Sequence, residues 1–100
     1  MRTIHKYLIP MTGSDRAMIL TTGLEFKPLS LQLQQGVPAL WGEVDEPEEG
    51  NGQTVERLVS IVGAGYGLPP KFMTYVGTLQ FKHGHADLVL HYYVDCRPAV

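Results

Sequence analysis

Two stretches of this sequence hold residues whose types and spacing could do chemistry. Gly63-Ala64-Gly65-Tyr66-Gly67 is dense enough in glycine to bring backbone N–H groups up to a phosphate. That chemistry also needs a helix N-terminus directly after the loop and a Lys-Ser/Thr pair at fixed spacing. Here Leu68-Pro69-Pro70 follows, Pro70 has no N–H to donate, and no helix is indicated. A crossover between strands is the plainer reading, with Gly63, Gly65, Tyr66 and Gly67 retained as candidate contacts for a small ligand such as a nucleotide. The second stretch is His83-Gly84-His85, with Asp87 and His91 nearby. His83 and His85 could meet one metal ion, which Asp87 or His91 would complete. The competing reading is a solvated hairpin turn made by Gly84, because metal sites usually declare more ligands at tighter spacing. No metal or other cofactor is expected.

Covalent chemistry finds less support. Ser14, Ser30 and Ser60 sit in ordinary turn or strand surroundings without a nucleophile-elbow pattern. Cys96 has no histidine at a recognisable partner position, and its place beside the C-terminus leaves open an exposed thiol and an adventitious intermolecular bridge. Paired carboxylates occur only in the acidic stretch Asp45 to Gln53, where nothing suggests the burial that tunes an acid catalyst. A protein that is not an enzyme is the expectation. Binding residues are better sought among the aromatics, which commonly anchor interfaces. Trp41, Tyr75 and Tyr92 share strand faces with aliphatic residues and read as core, whereas Tyr66 and Tyr93, with His91, are candidates for an exposed surface.

The elements that position these residues show a period of two. In Leu29-Ser30-Leu31-Gln32-Leu33-Gln34 the leucines point one way in an extended chain, and a helix would scatter them. Gln35-Gly36 then makes a tight turn, and Val37 to Val44 returns, with Pro38 at its start or on an edge because proline cannot donate to a ladder. A second hairpin runs from Met73 to Phe81 and back from Asp87 to Cys96, turning over Lys82 to Ala86. It places Met73, Tyr75, Leu79 and Phe81 on one face, and Gly77 marks a bulge or a close backbone approach. Its returning strand sets Leu88, Leu90, Tyr92 and Val94 against a mixed face of Val89, His91, Tyr93 and Asp95.

Thr3 to Ile9, Ala17 to Thr22 and Thr54 to Val62 supply three further strands. In the last, Arg57 interrupts the apolar parity of Val55, Val59 and Ile61, which a bulge would repair; a short helix over Val55 to Val59 is the alternative. Thr12 to Asp15, Asp45 to Gln53 and Gly63 to Pro70 are loops. About seven short strands argue for an all-β domain over residues 1–100, a small antiparallel β-sandwich or partly open barrel.

Composition narrows the setting. With 100 residues, 44% hydrophobic and 18% charged, the chain has the make-up of a globular domain rather than a disordered one. A formal net charge of −2 gives no general attraction to nucleic acid or to an anionic membrane, so neither is an expected partner. A single cysteine fits a reducing compartment, and the opening residues lack the continuous apolar region of a signal peptide. The cytoplasm is therefore the expected location. An edge strand could also pair with its twin in a second copy, giving a homodimer by sheet extension.

Ile4 to Pro10, Leu29 to Trp41, Val44-Asp45, Ile61 to Gly65, Tyr75 to Gln80 and Leu88 to His91 cover most of the chain. Taken together and in this order, they resemble a family of small bacteriophage and prophage proteins of unknown function. These motifs are structural, and the resemblance implies no activity and no catalytic residues. The family often has histidine where this chain has Tyr66, which speaks against proton or metal chemistry there. The resemblance does imply a setting: a phage gene product in bacterial host cytoplasm. Such a protein is expected to bind a host protein in host takeover or anti-defence. A nucleotide-binding protein and a minor virion or assembly protein are the alternatives.

Overall fold

A computed structural model describes residues 1–47, 52–83 and 86–99, and among them all regular structure is β-strand. The seven strands are β1 (Arg2–Leu8), β2 (Arg16–Thr22), β3 (Phe26–Gln34), β4 (Val37–Asp45), β5 (Thr54–Gly63), β6 (Thr74–His83) and β7 (Ala86–Val94). They form a three-stranded sheet in the order β1-β4-β3 and a four-stranded sheet in the order β2-β5-β7-β6, every pairing antiparallel. The two sheets face each other as a sandwich without closing into a barrel. Between them lies a cluster of Ile9, Ile19, Phe26, Leu40, Val44, Val59, Leu79, Phe81, Tyr92 and Val94. The expected all-β sandwich is the architecture found.

Local chemistry explains the hairpins. Gln35 and Gly36 both take left-handed φ values, 52° and 80°, the pattern of a type I′ turn whose twist matches that of the flanking strands. Pro38 falls at the second position of β4, and its carbonyl accepts a hydrogen bond from the Ile9 N–H at 2.9 Å. Residues 55–59 are strand and not helix, as the β-branched run around them favours.

Three departures from strict alternation decide which side chains face inward. In β3 the register slips between Pro28 and Ser30. Leu29 is the extra, largely exposed residue and does not share the inward face of Leu31. In β6 the slip falls between Tyr75 and Gly77, with Val76 as the bulged residue. The bulge reverses the parity before it, so Tyr75 leaves the face of Leu79 and Phe81 and is 54% exposed. The expected core role of Tyr75 is thereby overturned. The third departure concerns β5, where no bulge repairs the parity; Arg57 itself points inward and is 2% exposed. Trp41 also differs from the core role expected of it. It pairs with Lys6 and Ser30 on the outer side of the three-stranded sheet and is half-buried.

Arg57 is held by four acceptors. Its Nε donates to Thr21 Oγ1 at 2.8 Å, Nη1 to the carbonyls of Asp95 (3.0 Å) and Arg97 (2.8 Å), and Nη2 to the carbonyl of Leu24 (3.1 Å). The guanidinium also sits 5.6 Å from the centre of the Phe26 ring, within range of a cation–π attraction. Burying a cation costs several kcal/mol, whereas hydrogen bonds involving a charged group contribute roughly 1.5–3 kcal/mol each. The same bonds tie β5 to β2, to the β2–β3 connection and to the segment after β7. The Leu24 carbonyl additionally accepts from the Ala99 N–H at 2.9 Å, so residues 95–99 lie along that connection.

Two substitutions test these devices. Arg57→Ala strands the Asp95 and Arg97 carbonyls and a buried hydroxyl, leaves the Leu24 carbonyl with the Ala99 N–H alone, and should cost about 3–5 kcal/mol in urea unfolding. Arg57→Lys should recover only part, because three donors on one nitrogen cannot reach four acceptors spread around a planar fork. Gly77→Ala addresses the bulge. Gly77 has φ +156°, and an added Cβ would lie 3.1 Å from the Leu31 Cβ. A loss of about 1–3 kcal/mol is expected on the same measurement.

Candidate functional site

The residues that sequence reading nominates for binding lie on opposite faces of the four-stranded sheet. Gly63 ends β5 opposite Leu90, and the Tyr66 N–H returns to the Gly63 carbonyl at 3.3 Å. The Tyr66 ring lies over Gly63 on the Leu90 side, the side that carries Tyr92 and Val94 into the core. It is nevertheless 78% exposed, because it sits past the end of that core. Gly65 takes a left-handed φ of 87°, while Gly67 meets open space. The chain then runs through turns to Met73, whose N–H bonds the Pro70 carbonyl at 3.0 Å. No helix follows the glycines, so their N–H groups gain no helix dipole for holding an anion.

His91 and Tyr93 leave β7 on the opposite, outer face. There the β6 bulge supplies two residues that alternation could not assign. Tyr75 pairs with Tyr93, their ring centroids 5.5 Å apart and tilted by 62°, an edge-to-face arrangement in the range where aromatic pairs attract. Thr78 pairs with His91, and its Oγ1 lies 2.8 Å from His91 Nδ1 while also hydrogen bonding the Tyr75 hydroxyl. A phenol, a hydroxyl and an imidazole thus form a chain along the outer surface. Ser60 and Val62 of β5 extend these rows as the partners of Tyr93 and His91. The signal for Tyr75 and Thr78 was present in Gly77, which marks a bulge, but only the pairing shows that the bulge falls at Val76.

A hydroxyl beside an imidazole is half of an activated nucleophile, yet no described group orients the histidine from its other nitrogen and the surroundings are open to water. What the face offers is two aromatic rings beside a hydrogen-bonded hydroxyl and imidazole. The proposed ligand pair His83 and His85 cannot be placed on it: Gly84 and His85 lie outside the described residues, and of His83 only the backbone pairing with Ala86 is defined. Among the described residues, no three His, Cys, Asp or Glu side chains come together as metal ligands.

At the other end of the molecule an open groove of about 550 Å³ is lined by Met1, Gly23, Leu24, Glu25, Asp45 and Glu46 among others. Its carboxylates are partly engaged. Asp45 pairs with Arg2 at 3.6 Å and Glu46 with His5 at 3.4 Å, while the Met1 ammonium donates to the Glu46 carbonyl at 2.8 Å.

The segment after β7 carries the remaining charge chemistry. The Arg97 guanidinium grips the Asp95 carboxylate in a fork, at 2.9 and 2.8 Å, and lies 3.6 Å from the centre of the Phe72 ring. The hydrogen bonds from Arg97 hold the Asp95 carboxyl below its ordinary value. Cys96 between them is half-buried, and burial pushes its thiol up. The exposed thiol that its sequence position left open is therefore not what the fold makes.

The fold and this surface define a small two-sheet β-sandwich that displays an aromatic, hydrogen-bonding sheet face. The chain belongs to the family described as a domain of unknown function, DUF7352, which matches residues 1–99. No curated protein and no solved structure gives a significant match.

Two measurements follow from the segment after β7. Alkylation of Cys96 in the native protein should run at least about tenfold slower than in urea, since the thiolate is the reacting form and burial suppresses it. Asp95, with its folded value depressed, contributes stability that is complete above the unfolded carboxylate value, about 3.9, and is lost as pH falls through the folded one. The acid limb of a thermal-unfolding pH series should accordingly be shallower in Asp95→Asn than in the parent protein.

Proposed function

We propose that this protein is a non-enzymatic binding module whose partner is another protein, engaged through the outer face of the four-stranded sheet. The observation that supports this reading is the difference between the two outer faces. On the three-stranded sheet, Arg2 lies 4.0 Å from Glu43 and 3.6 Å from Asp45, Lys27 lies 3.7 Å from Glu43, and Lys6 donates to Gln34 at 2.8 Å. Charges there satisfy one another and interleave with Ile4, Leu8 and the half-buried Trp41. The middle of the other face presents Tyr75, Tyr93, Thr78, His91 and Val89, a mixture of aromatic surface and hydrogen-bonding groups typical of interface anchors.

The resemblance to phage and prophage proteins adds a setting in which the partner is a bacterial host protein met in the host cytoplasm, in host takeover or anti-defence. Nucleotide binding is the weaker reading, because Gly63, Gly65, Tyr66 and Gly67 lie apart from the hydrogen-bonding cluster.

The test is affinity capture from host lysate with the parent protein and a Tyr93→Arg variant side by side, after thermal unfolding shows both to be folded. One protein retained by the parent and lost by the variant is the expected result. Equal capture by both, or capture of nothing, would overturn the assignment of this face.

A further inference from the structure

The sandwich has four sheet edges, and three of them are managed. Those of β3 and β6 lie against each other at one corner, where Leu31 packs over Gly77. That of β1 carries Arg2 and Lys6, charged residues of the kind that discourage strand addition. The fourth edge, β2, is different. Its sequence Arg16-Ala17-Met18-Ile19-Leu20-Thr21-Thr22 has its one charge at the first position, where Arg16 lies 4.0 Å from Asp15, holds no lysine and no proline, and pairs with β5 without a bulge. Such an edge is a template for another strand.

The hydrogen-bond phase of β2 shows which groups are on offer. The Ile61 N–H donates to the Asp15 carbonyl at 2.9 Å, and the Gly23 N–H donates to the Gln53 carbonyl at 3.0 Å. Antiparallel alternation then assigns the N–H and C=O groups of Ala17, Ile19 and Thr21 to β5. Those of Met18, Leu20 and Thr22 point away from the sheet. The Arg16 N–H also points away but donates to Ser14 Oγ at 3.2 Å, leaving its carbonyl. Met18 and Leu20 have their side chains on the outer face, 51% and 56% exposed.

We propose that β2 pairs antiparallel with β2 of a second copy about a two-fold axis at Ile19, joining two four-stranded sheets into one continuous sheet. The register is self-complementary. Ile19 lies opposite its own twin, Met18 opposite Leu20 of the other copy, and Arg16 opposite Thr22, so no like charges meet. Every outward-pointing residue then faces an outward-pointing residue, and about six ladder hydrogen bonds form. The Met18 and Leu20 side chains close into an apolar cluster beside Leu58, the β5 partner of Met18. A register displaced by one residue would set outward-pointing residues against inward-pointing ones and is excluded by the same alternation.

This dimer does not depend on the binding face proposed above. Tyr75 and Tyr93 lie at the β6–β7 side of each sheet, away from the axis, so the assembly presents two copies of that face and binds bivalently.

Sedimentation velocity across the micromolar range should show a monomer–dimer equilibrium, and hydrogen exchange should slow at the Met18, Leu20 and Thr22 amides as concentration rises. Leu20→Lys, an exposed outward substitution, should weaken association by about tenfold or more, and Met18→Lys should do the same where Leu20→Lys perturbs folding. Tyr93→Arg should leave the dimer intact. A protein monomeric at every concentration overturns the proposal, and so does a dimer in which those three amides exchange as fast as in dilute solution.

Discussion

Arg57 occupies a place in the sandwich where burial ordinarily admits only hydrocarbon, and the surrounding chain is arranged to make that tolerable. Its fork geometry sets the positions of Leu24, Asp95 and Arg97, three residues in segments that lie outside the strands. A lysine would offer a point charge, and an aliphatic residue would offer nothing to the carbonyls. The guanidinium therefore does for these irregular segments what the ladders do for the strands, supplying the donors that buried carbonyls require. Docking of the segment after β7 follows from it: the Asp95 and Arg97 carbonyls are held from below, and the Arg97 side chain is left free to grip the Asp95 carboxylate and stack on Phe72.

A second constraint acts at the opposite corner. Two bulges, at Leu29 and at Val76, lie in the strands that meet there. Bulges sharpen local twist and bend a strand, which lets β3 and β6 approach without completing a barrel. The same residues redistribute side chains. By advancing β6 one residue, the Val76 bulge turns Tyr75 out towards Tyr93, and so creates the aromatic part of the outer face. The core and the candidate recognition surface thus share one cause.

Both outer faces are legible as consequences of register. The three-stranded sheet sets acids opposite bases across β1, β4 and β3, and exposed pairs of this kind contribute little to stability, about 0–1 kcal/mol each; they serve chiefly to keep that face in water. The four-stranded sheet holds a phenol–hydroxyl–imidazole chain instead, in which Thr78 orients both Tyr75 and His91 at the surface. A surface whose polar groups are already ordered loses less entropy when a partner arrives.

Strand positions, the Gln35-Gly36 turn and the all-β class were determined by the sequence itself, because alternation and turn chemistry are local properties. The parity of Arg57 was visible too, although its meaning was not: a lone charged residue in an apolar series reads as a bulge or a short helix until its acceptors show that it is a buried ion. Those acceptors come from residues 33 to 40 positions away along the chain. The faces of Tyr75, Leu29 and Trp41 were likewise beyond local reading. A glycine announces a bulge without saying which neighbour is the extra residue, and a single step of register sends every side chain beyond it to the other side of the sheet. Only the pairing of β6 with β7, and of β3 with β4, decides that step. That is why most of the core, and Tyr93 and His91 on the candidate surface, could be read from the residues, while the faces of Tyr75, Leu29 and Trp41 could not.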